Sequence, residues 1–320
     1  MPSPDTATAI IIAAYNAEAT LERAVLSALA QPEATEICIV DDASTDGTAT
    51  LARALAARDA RVSVHLLTLN GGPSVARNLA ITSATSPWLT ILDADDYMIE
   101  GRLAALHALS GDADFIADTL IRIPFGEEPR WQRREPKAQA LSFTSFVLGN
   151  LGGADALDLG FMKPLMRRAF LDTHGLRYQA AMRLGEDYEL YARALAHGAR
   201  FVTCGETGYI SVERPGSLSK EHSARDLQLL RDCDDGIAAV RTLTPEEAHA
   251  LRKHWQSVDR RLQWRRLITA VKTRDAGMAL SAFHSVDAAS FLVGKLAEQV
   301  WLRSTGRGPR RAPLSTSEAH

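Results

Sequence analysis

Trp88-Leu-Thr-Ile-Leu-Asp-Ala-Asp-Asp-Tyr97 decides the fold. Leu89, Thr90, Ile91 and Leu92 are apolar or β-branched and too few for a helix, so they read as a short buried strand. The run stops at Asp93, Asp95 and Asp96. Carboxylates have no place in a core, so the chain must emerge here at the carboxyl edge of a sheet, where open α/β folds bind their ligands. Acids this crowded repel one another unless a cation sits among them, and hard oxygen ligands suit Mg²⁺ or Mn²⁺. A metal-bound diphosphate is one reading. An acidic turn in which Asp95 or Asp96 caps the next helix is the other, and Asp-Ala-Asp alone favours it.

The residues upstream shift that balance. Thr8 to Ala14 is a continuous apolar run with β-branched residues at its centre, the pattern of a buried first strand. Tyr15-Asn16 turns the chain, and Ala19 to Leu29 places Leu21, Val25, Leu26 and Leu29 at helical spacing before Pro32. Ile37 to Val40 is a second buried strand, and it too meets acids, Asp41-Asp42. Two strands ending in carboxylates make a shared rim. A turn over Ala43 to Thr48 launches a helix through Ala57, and Val62 to Leu67 is a third strand. Asn70-Gly71-Gly72-Pro73 then turns into a helix through Ser83, with Pro suited to the first helical position. The order β-α-β-α-β-α-β predicts an α/β fold, a mostly parallel sheet with helices on its faces. The glycines form neither a dinucleotide fingerprint nor a phosphate loop.

With 320 residues the chain has enough length for two lobes, or for one large α/β domain with an appendage. A net charge of −3 gives no general attraction to nucleic acid or to an anionic membrane. The three cysteines, Cys38, Cys204 and Cys233, fit no metal-ligand spacing and leave an odd thiol, which points to a reducing compartment. No apolar run approaches the ~18 residues of a membrane span, and no signal peptide is visible. The expected location is cytoplasmic, with a peripheral membrane contact left open.

Four motifs taken together carry a resemblance. Ile11 to Asn16 (Ile-Ile-Ala-Ala-Tyr-Asn), Val40 to Thr48 (Val-Asp-Asp-Ala-Ser-Thr-Asp-Gly-Thr), Asn70 to Asn78 (Asn-Gly-Gly-Pro-Ser-Val-Ala-Arg-Asn) and Leu92 to Asp96 (Leu-Asp-Ala-Asp-Asp) resemble the family 2 glycosyltransferases of the GT-A fold. The resemblance implies a nucleotide-diphospho-sugar donor, a divalent metal and inversion at the anomeric carbon. By position it places Tyr15 and Asp42 at the nucleobase and ribose, with Asp41 beside them. Asp95 would bind the metal and Asp93 the ribose or a metal-bound water, while Arg77 would brace the acidic rim. An ordinary helix-surface arginine accounts for Arg77 nearly as well. Ala13 stands where many members carry Thr or Pro, which removes a possible hydroxyl contact.

Beyond Tyr97 the pattern loosens. Arg102 to Leu109 reads as a helix, Phe115 to Ile123 as one or two strands, and the charged stretch Glu127 to Lys137 as a mobile loop near the acceptor side or a plain surface loop. Phe161-Met-Lys-Pro164 leads into a helix ending at His174-Gly175. Leu184-Gly-Glu-Asp-Tyr-Glu-Leu190 is a second acid site, at the start of a helix whose dipole keeps a carboxylate ionised. Capping by Asp187 would explain it alone. Its position resembles the family's Glu-Asp catalytic motif, implying Asp187 as the base that takes the acceptor hydroxyl's proton and Glu186 as an acceptor-orienting or backup acid.

Gly160 to Tyr178 and Arg183 to Arg193 are similar to glucosyltransferases of rhizobial succinoglycan assembly, a likeness running from the N-terminus to about Ser219. That implies UDP-glucose as donor and a lipid-linked oligosaccharide of exopolysaccharide assembly as acceptor. Lys163 would meet an anionic acceptor or the diphosphate, unless it is a surface lysine before Pro164. Arg214 stands where many relatives carry a metal-side His, which leaves a protein His ligand in doubt.

From Glu221 the pattern is helical: Asp226 to Thr242, Pro245 to Leu267 and Ala276 to Leu302. Phe291, Leu292, Leu296, Val300, Trp301 and Leu302, beside Lys295, Arg303, Arg307, Arg310 and Arg311, read either as a basic amphipathic segment on the inner membrane surface or as a helix packed on the main domain. The expected organisation is 1–97 for the nucleotide-sugar half, 98–220 for the acceptor half, 221–306 for a helical extension and 307–320 for a disordered tail. Two rivals stand beside an inverting, metal-dependent hexosyltransferase. They are a Mg²⁺-dependent phosphotransferase with Asp93 as nucleophile and a sugar-nucleotide-binding module without turnover.

Overall fold

Apolar strands of the first ninety-odd residues have two faces to bury, and the computed structural model, which describes residues 4–132, 135, 137–152, 159–213 and 222–305, covers both with helices. Strand β1 (Thr8–Ala14) leads through α1 (Leu21–Leu29) to β2 (Ala34–Asp41), α2 (Thr48–Arg58), β3 (Val62–Leu66), α3 (Pro73–Ser83) and β4 (Trp88–Ile91). Each lies within a few residues of its expected position. Ile10, Ile12, Ile37 and Ile39 pack with Leu21, Val25 and Leu55 as the core of this half.

The second half is built from shorter pieces: β5 (Tyr97–Met98), α4 (Arg102–His107), β6 (Phe115–Ala117), β7 (Ile121–Pro124), β8 (Gln139–Ala140), α5 (Phe143–Leu148), β9 (Leu165–Arg167), α6 (Arg168–Thr173), α7 (Glu186–Ala196), β10 (Phe201–Thr203) and β11 (Tyr209–Glu213). The main sheet has the order β3-β2-β1-β4-β9-β6-β10-β8, and a small sheet has the order β5-β11-β7. Thus Phe115 to Ile123 holds two strands belonging to different sheets. β1 to β4, β6 and β10 run parallel, so their carboxyl ends share one edge.

Strand β9 corrects the helix expected directly after Pro164. It runs antiparallel between β4 and β6. Leu165 and Met166 are fully buried there, filling a slot that only the assembled sheet creates, and α6 starts after them. Because β9 is reversed, the residues preceding it, including Lys163, lie at the carboxyl edge.

Helices α8 (Ala224–Ala238), α9 (Pro245–Thr273), α10 (Ala276–Ser281) and α11 (Val286–Ser304) follow. The helix expected over Ala276 to Leu302 is broken. Asp275 caps α10 by accepting from the Met278 N–H, and Ser285 accepts from the Ala288 N–H at the start of α11. The chain falls into two compact units, Met1–Trp255 and Gln256–His320, with the division inside α9. Within the first unit, α8 and the start of α9 are tied to α7: the Tyr188 hydroxyl donates to Asp234 at 3.0 Å, and Asp234 bonds His254 at 2.8 Å. Within the second, Leu267, Ala282 and Leu292 form a small core. The three cysteines are free thiols. No helix among the described residues is long and apolar enough to cross a membrane.

Candidate active site

Three strand ends build one side of the site. Asp41 closes β2 and Tyr15 follows β1, and the pairing of Ala14 with Asp41 sets Tyr15 beside Asp42 at the edge. Tyr15 is exposed while Asp41 and Asp42 are buried. Asp42 is fully engaged, taking the N–H of Gly71 at 2.7 Å and of Gly72 at 2.8 Å on its two oxygens. Gly72 has φ +86, a conformation that a side chain would strain, so the Gly-Gly turn is the partner this carboxylate needs. Asp41 accepts from the Ser44 N–H with Oδ2, but its Oδ1 is buried with no hydrogen-bond partner among the described residues. An open acceptor buried at a ligand-facing edge is costly unless a donor arrives.

The turn delivers α3, and three residues on one face of that helix hold the segment before α7. Ser74 donates to the Met182 carbonyl, Asn78 exchanges two hydrogen bonds with the backbone of Tyr178, and Arg77 reaches the acids of α7. Spacings of three and four put Ser74, Arg77 and Asn78 side by side. Gly185, at φ +70, caps α7, and a Cβ there would run into Leu230 of α8.

Arg77 and Lys163 join the two acid motifs. Arg77 pairs with Asp93 at 2.9 Å, Glu186 at 2.9 Å and Asp187 at 3.4 Å. Lys163 bridges Asp187 at 2.7 Å and Asp93 at 3.1 Å. Both cations are buried, so neither is the surface side chain that sequence reading allowed. Partial burial opposes ionisation of Asp93, but Lys163 and Arg77 overcome it and hold its carboxyl down at about 2. Burial likewise works against the Lys163 charge, and Asp187 and Asp93 outweigh it, raising its pKa. Asp96 goes the other way: burial, with Asp93 and Asp95 nearby, pushes it up to about 8, and it accepts from the Val212 N–H.

A second layer fixes Asp93 and Lys163. Arg102, fully buried, pairs with Asp118 at 2.6 Å and donates to the Lys163 carbonyl at 2.6 Å. Its guanidinium lies 5.0 Å from the ring centre of Tyr209, whose hydroxyl accepts from the Asp93 N–H at 3.1 Å. Neither the role of Lys163 nor this layer was legible in the sequence, because lone polar residues on separate short elements have no shared spacing.

Among the described residues no three His, Cys, Asp or Glu side chains converge as a metal cage. Mg²⁺ and Mn²⁺ do not require one beside a diphosphate, since one or two carboxylates plus phosphate oxygens and water complete the shell. Formally, Asp93, Asp95, Glu186 and Asp187 set against Arg77 and Lys163 leave two negative charges in excess. Asp95 carries hard oxygens of the kind that suit a divalent cation beside a diphosphate. Arg214 and the segment to Ser219, and the tail from Arg307 to His320, lie outside the described residues.

The same arrangement of sheet and edge occurs in solved GT-A glycosyltransferases, which defines the class by fold. A structure of Staphylococcus aureus TarS residues 1–349 in complex with UDP-GlcNAc matches with a TM-score of 0.58 at 19% identity, covering 87% of this chain and 91% of that one. The mannosyltransferase PcManGT of Pyrobaculum calidifontis, in complex with GDP-Man and Mn²⁺, matches with a TM-score of 0.56 at 17% identity, covering 96% and 85%. Residues 9–174 match the model of glycosyl transferase family 2, and the chain belongs to that family. Among its relatives from Rhizobium meliloti, succinoglycan biosynthesis protein ExoU is 43% identical over 276 residues, 84% of this chain and 80% of that protein. ExoO is 32% identical over 322 residues, 96% and 92% respectively. Family membership makes the chain a glycosyltransferase and sets aside a phosphotransferase centred on Asp93.

Proposed function

We propose that the chain is an inverting hexosyltransferase that moves glucose from UDP-glucose to a lipid-linked saccharide during exopolysaccharide assembly, at the inner face of the membrane. The observation that carries the two-site mechanism is the bridge of Arg77 and Lys163 between Asp93, at the end of β4, and Asp187, at the start of α7. The succinoglycan names of ExoU and ExoO support the pathway, and the nucleotide sugar on TarS supports the donor class.

In this reading Tyr15 lies against the nucleobase and Asp41 Oδ1 accepts an N–H of the base, its missing partner. Asp42 acts through the Asn70–Gly72 turn that it clasps. Asp95 would hold Mg²⁺ or Mn²⁺, which offsets the charge on the leaving diphosphate. Asp93, oriented by Arg77, Lys163 and Tyr209, receives the ribose or a metal-bound water. Asp187 takes the proton of the acceptor hydroxyl as that oxygen attacks the anomeric carbon, and Glu186 orients the acceptor.

The test is UDP release from a panel of UDP-sugars with Mg²⁺ or Mn²⁺, with and without a lipid-linked glycan extract. Wild type should turn over one donor. Asp95→Ala should lose both donor binding and turnover, while Asp187→Asn should keep binding and lose turnover by roughly 10²–10⁴-fold. Wild type that binds no sugar nucleotide under either metal would sink the reading.

A further inference from the structure

Tyr178 lies between α6 and α7 and has a buried side chain, 3% exposed, to which neither the donor nor the acceptor chemistry has yet given a part. Its backbone is clamped on both sides by one side chain of α3. The Tyr178 N–H donates to Asn78 Oδ1 at 2.9 Å, and its carbonyl accepts from Asn78 Nδ2 at 2.8 Å. The preceding carbonyl, of Arg177, accepts from Arg193 of α7 at 2.7 Å. The ring is then set under the Arg77 guanidinium, 5.3 Å from its centre, and that guanidinium pairs with Asp187 at 3.4 Å. So the phenol stands one cation away from the proposed base. Its hydroxyl has no hydrogen-bond partner among the described residues, although Asp187 and the Tyr191 hydroxyl stand beside it. A phenol this deeply buried ordinarily has one, because an unmade bond there costs the full desolvation of the group.

Two acceptors compete for that proton. Tyr191 has committed its own proton to the Met162 carbonyl at 3.1 Å and offers a neutral oxygen. Asp187 offers a carboxylate, and a hydrogen bond to an ionised acceptor is about twice as strong as a neutral one. Burial and the Asp187 charge both push the Tyr178 pKa well above its ordinary value, so the phenol keeps its proton and remains a donor. Without substrate, Asp187 is drawn toward Lys163 on Oδ2 and Arg77 on Oδ1. Hydrogen bonds of a catalytic group are often long in the free enzyme and tighten when substrate is bound. We infer that Tyr178 is a positioning residue for the transfer step, its hydroxyl donating to Asp187 when the acceptor hydroxyl is bound and so fixing the carboxylate in line with the proton it takes. Tyr178 itself neither touches the acceptor nor gives up its proton. The inference rests on the reading of Asp187 as the base and adds to it the group that holds the base in place.

The test is a double-mutant cycle on the full-length protein. UDP release from the UDP-sugar that wild type turns over, with a lipid-linked glycan extract, is compared in wild type, Tyr178→Phe, Asp187→Asn and the double variant. Tyr178→Phe removes one oxygen that holds nothing in the free enzyme, so the urea midpoint should match wild type. Its kcat should fall roughly tenfold, the scale of one hydrogen bond to a charged group, with KM for the donor unchanged. In the Asp187→Asn background the same substitution should cost nothing further, because Tyr178 acts through the carboxylate that is already lost. Tyr178→Phe with wild-type kcat, an equal loss in both backgrounds, or a loss that follows a lower urea midpoint or a raised donor KM overturns the inference alone. Wild type without turnover of any UDP-sugar, or Asp187→Asn with full turnover, overturns the reading of Asp187 and this inference with it.

Discussion

One ammonium serves two carboxylates that lie far apart in the chain, and that makes Lys163 the residue on which the site turns. Replacing it with Met leaves Asp93 and Asp187 close together with one cation fewer between them. Lys163 is the larger of the two charges that hold the Asp93 carboxyl down, so without it Asp93 keeps a proton to higher pH. Lys163→Met should therefore lower turnover and move the acid limb of the rate profile upward, with part of the loss recovered in alkaline buffer. A pH series of UDP release checks this; an unshifted limb would make the lysine a plain packing residue. At this scale the sequence exposed the acids well, because Asp41, Asp93, Asp95 and Asp187 interrupt apolar or turn patterns. It exposed the cations poorly, since Arg77 and Lys163 look the same on a surface as in a buried pair.

The elements that position these residues differ in how much sequence they need. Strands β1, β2 and β4 and helix α3 carry their own apolar runs and turn residues, and their patterns place them within a few residues. Strand β9 has three residues and exists because β4 and β6 leave a gap, so no local pattern announces it. The Arg102–Asp118 pair on α4 and after β6 is similarly invisible, yet it anchors the Lys163 carbonyl and stacks on Tyr209. Arg102→Met strands a buried carboxylate and should cost about 3–5 kcal/mol in urea unfolding. Arg102→Met/Asp118→Leu should regain much of that stability while donor affinity stays low, because the carbonyl has lost its donor. If affinity returns with stability, the pair serves the fold alone.

At the scale of the whole chain, the alternation of strands and helices makes an α/β sheet with a ligand-binding edge legible from residue order alone. The division of the chain does not follow from it. A change from mixed to helical pattern at Glu221 suggests a boundary, but Tyr188, Asp234 and His254 hold α8 and the start of α9 within the unit that carries the site. Buried polar triads of this kind leave no compositional mark.

The reversed strand also bears on the order in which the protein comes into being. Parallel neighbours β1, β2 and β4 can assemble from the first ninety-odd residues, but Lys163 reaches the edge only when β9 has threaded between β4 and β6. Contacts of such long sequence separation close slowly. On refolding from urea, the far-ultraviolet helix signal should return before the capacity to bind a fluorescent UDP analogue, and simultaneous recovery would refute that order. Nascent chain emerging from the ribosome would then carry a recognisable sheet well before it owns a working catalyst.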